Sequence, residues 1–404
     1  MCSKPLSGIK VLELASVLAG PSVGMFLAEV GATVIKIENP KTYGDVTRAW
    51  KLPTEDPKTD ISAYFTSINW GKKSLSLDLS NPKGLEILYH LAKISHIILV
   101  SYKPGDAEKL KVDYNTLKRY NKSIIYVHIT GYGLKNSRAG YDAIIQAESG
   151  FTYINGEPSR PPVKMPVALM DVLAAHQAKE AILLSLLQEK HKNDGAYIDV
   201  SLLQSGVSSL INQATNWLVG GVIPKRMGSE HPNIVPYGKI FYSKDGKPIV
   251  LAVGNDKQFT SLCKILGEPE LANDKRFINN HERVKHREEL YSKLQNLILK
   301  YNRDSLLHQL HKMIVPAGGV YNMKEVFEQS EAKELLINGK LSTGKSIIGV
   351  KSTVFNIDLY NQQLKLSPPP HYGEHSIEIL REELKYTNEI INNLVEEKVI
   401  YSYK

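Results

Sequence analysis

The strongest constraint on this chain is the regular alternation, through its first 130 residues, of short β-branched runs with amphipathic stretches. Residues 9–14 (IKVLEL), 33–37 (TVIKI), 74–79 (SLSLDL), 96–100 (HIILV) and 123–129 (SIIYVHI) read as strands, and 22–30, 82–94 and 107–120 read as helices between them. Strands joined by helical crossovers of this length run parallel, and the crossing helices cover both faces of the sheet. The expected fold class is therefore α/β with a Rossmann-like sheet. Residues 172–189 (helix), 196–201 (strand) and 204–219 (helix) continue the pattern.

The character then changes. Residues 223–233 are rich in Gly and Pro, 238–253 read as a β-hairpin turning at Asp245 and Gly246, and Lys- and Glu-rich helical segments run to about residue 310. A strand at 347–350, a Pro break at 368–370 and a terminal helix from Ser376 return to the earlier style. A chain of 404 residues exceeds one simple core. We expect a large domain from 1–205 with 340–404, a linker at 206–227, a smaller α+β domain at 228–325 and a second linker at 326–339.

The first βαβ unit lacks the dinucleotide fingerprint. Glu38 ends the second strand where an acidic residue would meet a ribose, but the preceding loop, ASVLAGP at 15–21, has no Gly-x-Gly-x-x-Gly turn. NAD is not expected.

Composition narrows the function classes. Hydrophobic residues make up 42% and charged residues 23%, and no run approaches the length of a membrane span. The N-terminal stretch lacks the apolar centre of a signal peptide, so a cytoplasmic protein is expected. Cys2 and Cys263 form neither a disulfide framework nor a metal-binding spacing. The net charge of +8 suits an anionic ligand, yet the lysines are scattered, which argues against nucleic acid.

Several catalytic patterns fail their context tests. GKLSTGKS, from Gly339 to Ser346, satisfies the phosphate-loop expression, but a phosphate cradle needs a strand before and a helix after it. Here a helical run precedes and a β-branched run follows. His281 and His286 are five apart and point to different helix faces, and His308 with His311 lacks a third ligand nearby, so no metal is expected. No Gly-x-Ser-x-Gly elbow is present.

One carboxylate stands out. Asp171 ends the run MPVALMD (165–171) and opens a long helical run, at what reads as a strand-to-helix junction. Unpaired N–H groups in the first helical turn favour an ionised acid, which can serve as an N-cap or as a nucleophile.

Read together, ten ordered segments resemble the family III (class III) CoA-transferases, the group containing formyl-CoA:oxalate and carnitine CoA-transferases. They are PLSGIKVLEL (5–14), LAGP (18–21), GATVIKIE (31–38), GDVTR (44–48), NWGKKSLSLDL (69–79), GYDAIIQA (140–147), YIDVSLL (197–203), HPNIVPYG (231–238), AVGND (252–256) and GEH (373–375). The resemblance spans essentially the whole chain. It implies that Asp171 attacks an acyl-CoA thioester, forming an aspartyl mixed anhydride and then an aspartyl-CoA thioester, with oxyanion donors near Asp171 or from Gly254 and Asn255. It implies coenzyme A contacts at Val17, Leu18, Asn39, Leu77, Asp78, Leu79, Ser80, Ser101, Tyr102, Lys103, Lys109 and Tyr141. Asn39 stands where the family often has Arg, and Ser101 with Tyr102 where it usually has Asn-Phe. The resemblance also implies an open-ring monomer that interlocks in a homodimer, and small-molecule partners: an acyl-CoA and a carboxylic acid.

Two alternatives share these features. The acyl-CoA racemases of the same fold carry a His at the position of Tyr141 and glycines after the aspartate, where this chain has Val172 and Leu173. Tyr lacks a pKa near neutrality and is a poor proton shuttle. A CoA-binding protein without chemistry is the other.

Overall fold

The computed structural model describes residues 4–192, 194–355, 357 and 365–403. Cys2 lies outside them. The chain divides into two compact units, one comprising Met1–Phe151, Lys164–Gly220 and Leu335–Lys404 and the other Thr152–Val163 and Gly221–Glu334.

The first unit is built on six parallel strands: β1 (Lys10–Leu14), β2 (Thr33–Glu38), β3 (Lys72–Ser76), β4 (Ile97–Val100), β5 (Ile125–Thr130) and β6 (Ala196–Ser201). Their spatial order is β3-β2-β1-β4-β5-β6, so the winding direction reverses between β1 and β4. Period-two alternation puts a different core on each face. Leu12, Leu14, Ile35, Ile37, Leu75, Ile98 and Val100 pack on one side with Ile87, Leu88 and Leu91 of the helix Pro82–Lys93. Ile379 and Leu380 of Ser376–Glu382 and Ile391 and Leu394 of Asn388–Glu396 join them, so the C-terminal segment completes that layer. Val11, Val34, Leu99, Ile125 and Val127 pack on the other side with the helices Ala19–Glu29 and Leu169–Lys192. At about 1.5–3 kcal/mol for each large aliphatic side chain removed from water, these two layers dominate the unit's stability.

Several boundaries differ from the sequence expectation for identifiable reasons. The first helix starts at Ala19 and includes Pro21, because proline in a first turn has no intrahelical N–H bond to lose. The helix expected over 107–120 is two short turns, Asp106–Lys109 and Tyr114–Leu117, parted by Lys111 at a φ of 57°. The helix expected over 204–219 is likewise Leu202–Ser208 and Asn212–Leu218, parted by Ile211 at 48°. Helical periodicity survives one left-handed residue, so neither break is visible as a pattern.

The second unit holds a three-stranded antiparallel sheet, β7 (Tyr237–Tyr242), β8 (Pro248–Ala252) and β9 (Ala317–Gly319), with Gly246 at a φ of 71° in the turn after β7. Phe241, Leu251, Phe259, Leu262, Leu290, Leu294 and Leu306 fill its core. Cys263 is buried there, and burial pushes its thiol up to about 12, which makes it unreactive.

The segment from Gly339 to Ser346 is a hairpin. β10 (Leu336–Lys340) pairs antiparallel with β11 (Ser346–Val350), and Gly344, at a φ of 84°, lies in the turn. Gly339 and Gly349 lie against the Trp70 ring, where a Cβ on either would meet it within 3 Å. These glycines admit an indole, and no helix N-terminus follows to hold a phosphate.

Candidate active site

In open α/β sheets, ligands bind beyond the carboxyl ends of the strands at the point where the order reverses. Here that point lies between β1 and β4, and a cavity of about 480 Å³ opens there. Ser16, Val17 and Leu18 follow β1; Ser101, Tyr102 and Lys103 follow β4; Thr130 and Gly131 end β5; Tyr141, Asp142 and Asp171 close it. Val17, Leu18, Ser101, Tyr102, Lys103, Tyr141 and Asp171 are thus brought together. Ser101 Oγ accepts the N–H of Ser16 at 3.2 Å, tying the two switch-point loops.

Asp171 is half-buried in the first turn of Leu169–Lys192. Residues 161–168 form no strand, so the expected strand-to-helix junction is a loop-to-helix junction. Nor is Asp171 the residue that caps Met170: the Met170 N–H is bound by Asp142 Oδ1 at 2.7 Å. Asp142 itself opens the helix Asp142–Glu148 and also accepts from Gln146 Nε2 at 2.6 Å. Burial pushes the Asp171 carboxyl up to about 7, and the nearby charge of Asp142 adds to the rise. The helix start was expected to favour the ionised acid, but desolvation and a like charge outweigh it.

Two aromatic side chains were missed in the sequence reading. Trp50 lines the same cavity and meets Tyr64 edge-on, with ring centroids 5.1 Å apart. Burial pushes the Tyr64 hydroxyl up to about 12, and the charges of Asp171 and Asp142 add to the rise. The available signal was position: Trp50 lies two residues past the GDVTR segment.

A second cavity, of about 630 Å³, shares Ser16, Val46, Ser101 and Tyr102 with the first and extends past the end of β2 along Glu38, Asn39, Thr42, Tyr43, Gly44 and Asp45. Asn39 caps the short turn Pro40–Thr42 by accepting the Lys41 N–H at 2.9 Å. Leu77, Asp78, Leu79, Ser80 and Lys109 line neither cavity. Leu77 is buried and Leu79 packs on the core beside it. Burial works against the Asp78 carboxylate, but hydrogen bonds from Ser80 and Lys41 hold it below the usual range, and Lys41 pairs with it at 3.1 Å. Lys109 is exposed and pairs with Asp106 at 2.9 Å. The Gly254–Asn255 segment belongs to the second unit, where the Gly254 N–H donates to Gln258 Oε1 at 2.8 Å and Asn255 Oδ1 accepts the Gln258 N–H at 2.9 Å.

A buried ionic cluster under the β1 loop was also unforeseen. Lys36 Nζ lies 2.9 Å from both Glu13 and Asp45, and Lys72 Nζ lies 2.8 Å from Glu13, with all four side chains at most 1% exposed. Burial opposes both ammonium charges. For Lys36 the carboxylates of Glu13 and Asp45 outweigh it and hold the group above its usual range, while burial dominates at Lys72 and brings it down to about 8. Among the described residues no cluster of His, Cys, Asp and Glu is arranged to hold a metal, and no helix is long and apolar enough to cross a membrane.

The sheet order, the crevice at its reversal and a half-buried carboxylate with a raised pKa in that crevice fit an α/β enzyme that uses a carboxylate nucleophile. The chain belongs to CoA-transferase family III, whose sequence profile matches residues 6–376. It is 38% identical over 387 residues to the succinate–glutarate CoA-transferase of Agrobacterium fabrum, covering 94% of this chain and 95% of that protein. It is 36% identical to the succinyl-CoA:glutarate CoA-transferase of Homo sapiens, covering 98% and 90%. A crystal structure of a CaiB/BaiF family protein from Brucella suis superposes with a TM-score of 0.86 at 37% identity, covering 95% of this chain and all of that one. The protein is an enzyme that transfers CoA, and CoA thioesters are its substrates.

Proposed function

We propose that the chain moves CoA from an acyl-CoA to a carboxylic acid through covalent intermediates on Asp171. The carboxylate attacks the thioester carbonyl, the C–S bond breaks, and an aspartyl mixed anhydride and CoA thiolate result. The thiolate then attacks the aspartyl carbonyl, releasing the first acid and leaving an aspartyl-CoA thioester, and the acceptor acid runs the two steps in reverse. Splitting the exchange this way suits a carboxylate, a modest nucleophile but a good leaving group from an anhydride. The observation that carries the reading is that Asp171 lines the switch-point cavity and leaves the capping of Met170 to Asp142.

In this reading CoA lies across the two adjoining cavities. Val17, Leu18, Asn39, Ser101, Tyr102, Lys103 and Tyr141 contact it within them, and Leu77, Asp78, Leu79, Ser80 and Lys109 contact it beyond their rim. The unit that carries Asp171, expected over 1–205 and 340–404, is then the CoA-binding domain, and 228–325 is the smaller one. Dicarboxylic acids are the substrate class, with succinyl-CoA as donor and glutarate as acceptor; the relatives named for these substrates support this. The protein acts as a cytoplasmic homodimer. Exposed Leu184, Leu187, Trp217 and Leu218 support an apolar surface that a second copy covers.

The test is incubation with succinyl-CoA followed by hydroxylamine. A hydroxamate mapped to the peptide holding Asp171, absent in Asp171→Ala, is the expected result. Undiminished CoA exchange by Asp171→Ala would overturn the mechanism.

A further inference from the structure

Val17 has a φ of 70°. This left-handed conformation is rare for any residue but glycine and strained for a β-branched one, so it persists only where surrounding contacts impose it. Three contacts do so on consecutive residues: Lys36 Nζ donates to Ala15 O at 2.7 Å, Ser16 N–H to Ser101 Oγ at 3.2 Å, and Val17 N–H to Asp45 Oδ1 at 3.4 Å. Asp45 is itself fixed by the N–H and hydroxyl of Thr47 and paired with Lys36 at 2.9 Å. Lys72, which shares Glu13 with Lys36, donates to Pro21 O at 2.8 Å, in the first turn of the helix that follows the loop.

Fully buried ion pairs seldom stabilise a fold more than apolar side chains of similar volume would, so their presence calls for another account. We infer that the Lys36–Asp45 pair is a positioning device that holds Val17 in its left-handed conformation and so fixes the wall of the Asp171 cavity formed by residues 16–19. This inference rests on the reading that CoA binds against Val17 and Leu18. Neither Lys36 nor Asp45 touches the reacting atoms; both act through the backbone of the loop. Released from them, Val17 relaxes to negative φ and turns the peptide that enters the helix Ala19–Glu29.

The test is a double variant, Lys36→Met with Asp45→Ala, which removes both charges and the oxygen that accepts the Val17 N–H, and leaves Glu13 paired with Lys72 so that no buried charge is orphaned. It is expected to stay folded, to bind CoA about tenfold more weakly by calorimetry and to acylate Asp171 about a hundredfold more slowly, the scale of loss that a misplacement of about 1 Å produces. Adding Val17→Gly, which adopts the left-handed region without strain, is expected to recover most of both losses. A purely structural role for the pair predicts no such recovery. Should the double variant not fold, Val17→Pro in the otherwise intact chain serves instead, because proline cannot adopt a positive φ and is expected to reproduce both losses. Wild-type behaviour of the double variant, absence of recovery by Val17→Gly, or wild-type behaviour of Val17→Pro overturns the inference. If wild-type protein yields no Asp171 adduct at all, the covalent mechanism fails, and CoA affinity alone still decides the positioning role.

Discussion

Asp142 Oδ1 accepts the backbone N–H of Met170 at 2.7 Å, so this N–H at the start of Leu169–Lys192 is satisfied from a neighbouring helix and not by the carboxylate one residue further on. The arrangement frees Asp171 and sets a negative charge beside it. An Asp at the start of a helix is most often a cap; this one has been relieved of that duty.

The first prediction follows from the Asp171 carboxyl, which burial and the Asp142 charge raise to about 7. Only the ionised form attacks a thioester. Single-turnover acylation is therefore expected to rise with pH and level off, with an apparent pKa near 7. Asp142→Asn keeps an oxygen for the Met170 N–H and removes the charge, so Asp171 ionises more easily and the rising limb moves to lower pH, by roughly half a unit to one unit. A limb that stays in place, measured by hydroxamate yield against pH, would dissociate the two carboxylates.

The same shift carries a stability cost, with a definite sign. Asp171 holds its proton in the folded chain up to about pH 7, whereas an unfolded Asp releases it near 3.8, so between these values the folded state binds more protons and stability falls as pH rises. Above about pH 7 the cost is complete. Asp171→Asn abolishes transfer and is expected to melt a few degrees higher than wild type at pH 8, consistent with about 1–3 kcal/mol once solvent screening of a half-buried group is allowed for. That advantage should shrink steadily toward pH 4. Melting curves at several pH values check it, and an advantage independent of pH would place its origin elsewhere.

The sheet was legible because its strands repeat the same local statement: apolar residues on both faces, a turn, a helical period, then another strand. Asp171, Val17, Leu18, Ser101 and Tyr141 were expected at the site because the chain as a whole carries a family resemblance, and all five line one cavity. What escaped is three-dimensional. Glu13 and Lys36 read as ordinary charged residues in strands and Lys72 as one just ahead of a strand, and only the lateral register, with Glu13 beside Lys36, makes them one cluster. The left-handed residues Lys111 and Ile211 broke two expected helices because a single φ leaves no trace in hydrophobic periodicity. Asp142 looked unremarkable because its partner, the Met170 N–H, lies 28 residues away.

The phosphate-loop expression at Gly339–Ser346 leads to a prediction of no effect. Gly344 and Lys345 sit in the turn joining β10 to β11, where Gly344 N–H bonds Leu341 O at 2.8 Å and Leu341 N–H bonds Lys345 O at 2.9 Å. These bonds use backbone groups only, so Lys345→Ala should leave the turn, the fold and CoA transfer unchanged. ATP turnover is expected to be undetectable in both proteins. Hydrolysis by wild type that is lost in Lys345→Ala would restore the nucleotide reading.

The last prediction concerns Gly24, inside the helix Ala19–Glu29, where glycine would ordinarily cost about 1 kcal/mol relative to alanine. Propensity alone says that Gly24→Ala should stabilise. A Cβ at this position, however, would lie 1.8 Å from Glu13 Oε2 and 3.3 Å from the Lys72 side chain. Glu13 cannot swing aside freely, because Lys36 and Lys72 both hold its carboxylate and it is fully buried. Either the helix shifts off the sheet or the carboxylate leaves two buried ammonium groups short of a partner, and breaking such a group typically costs about 3–5 kcal/mol. Gly24→Ala is therefore expected to lower stability by about 2–4 kcal/mol after the propensity gain is set against it. Urea unfolding of Gly24→Ala and Gly24→Ser against wild type measures the loss. A more stable alanine variant would show that Glu13 has room to move, and with it that the cluster beneath the β1 loop is softer than its distances imply.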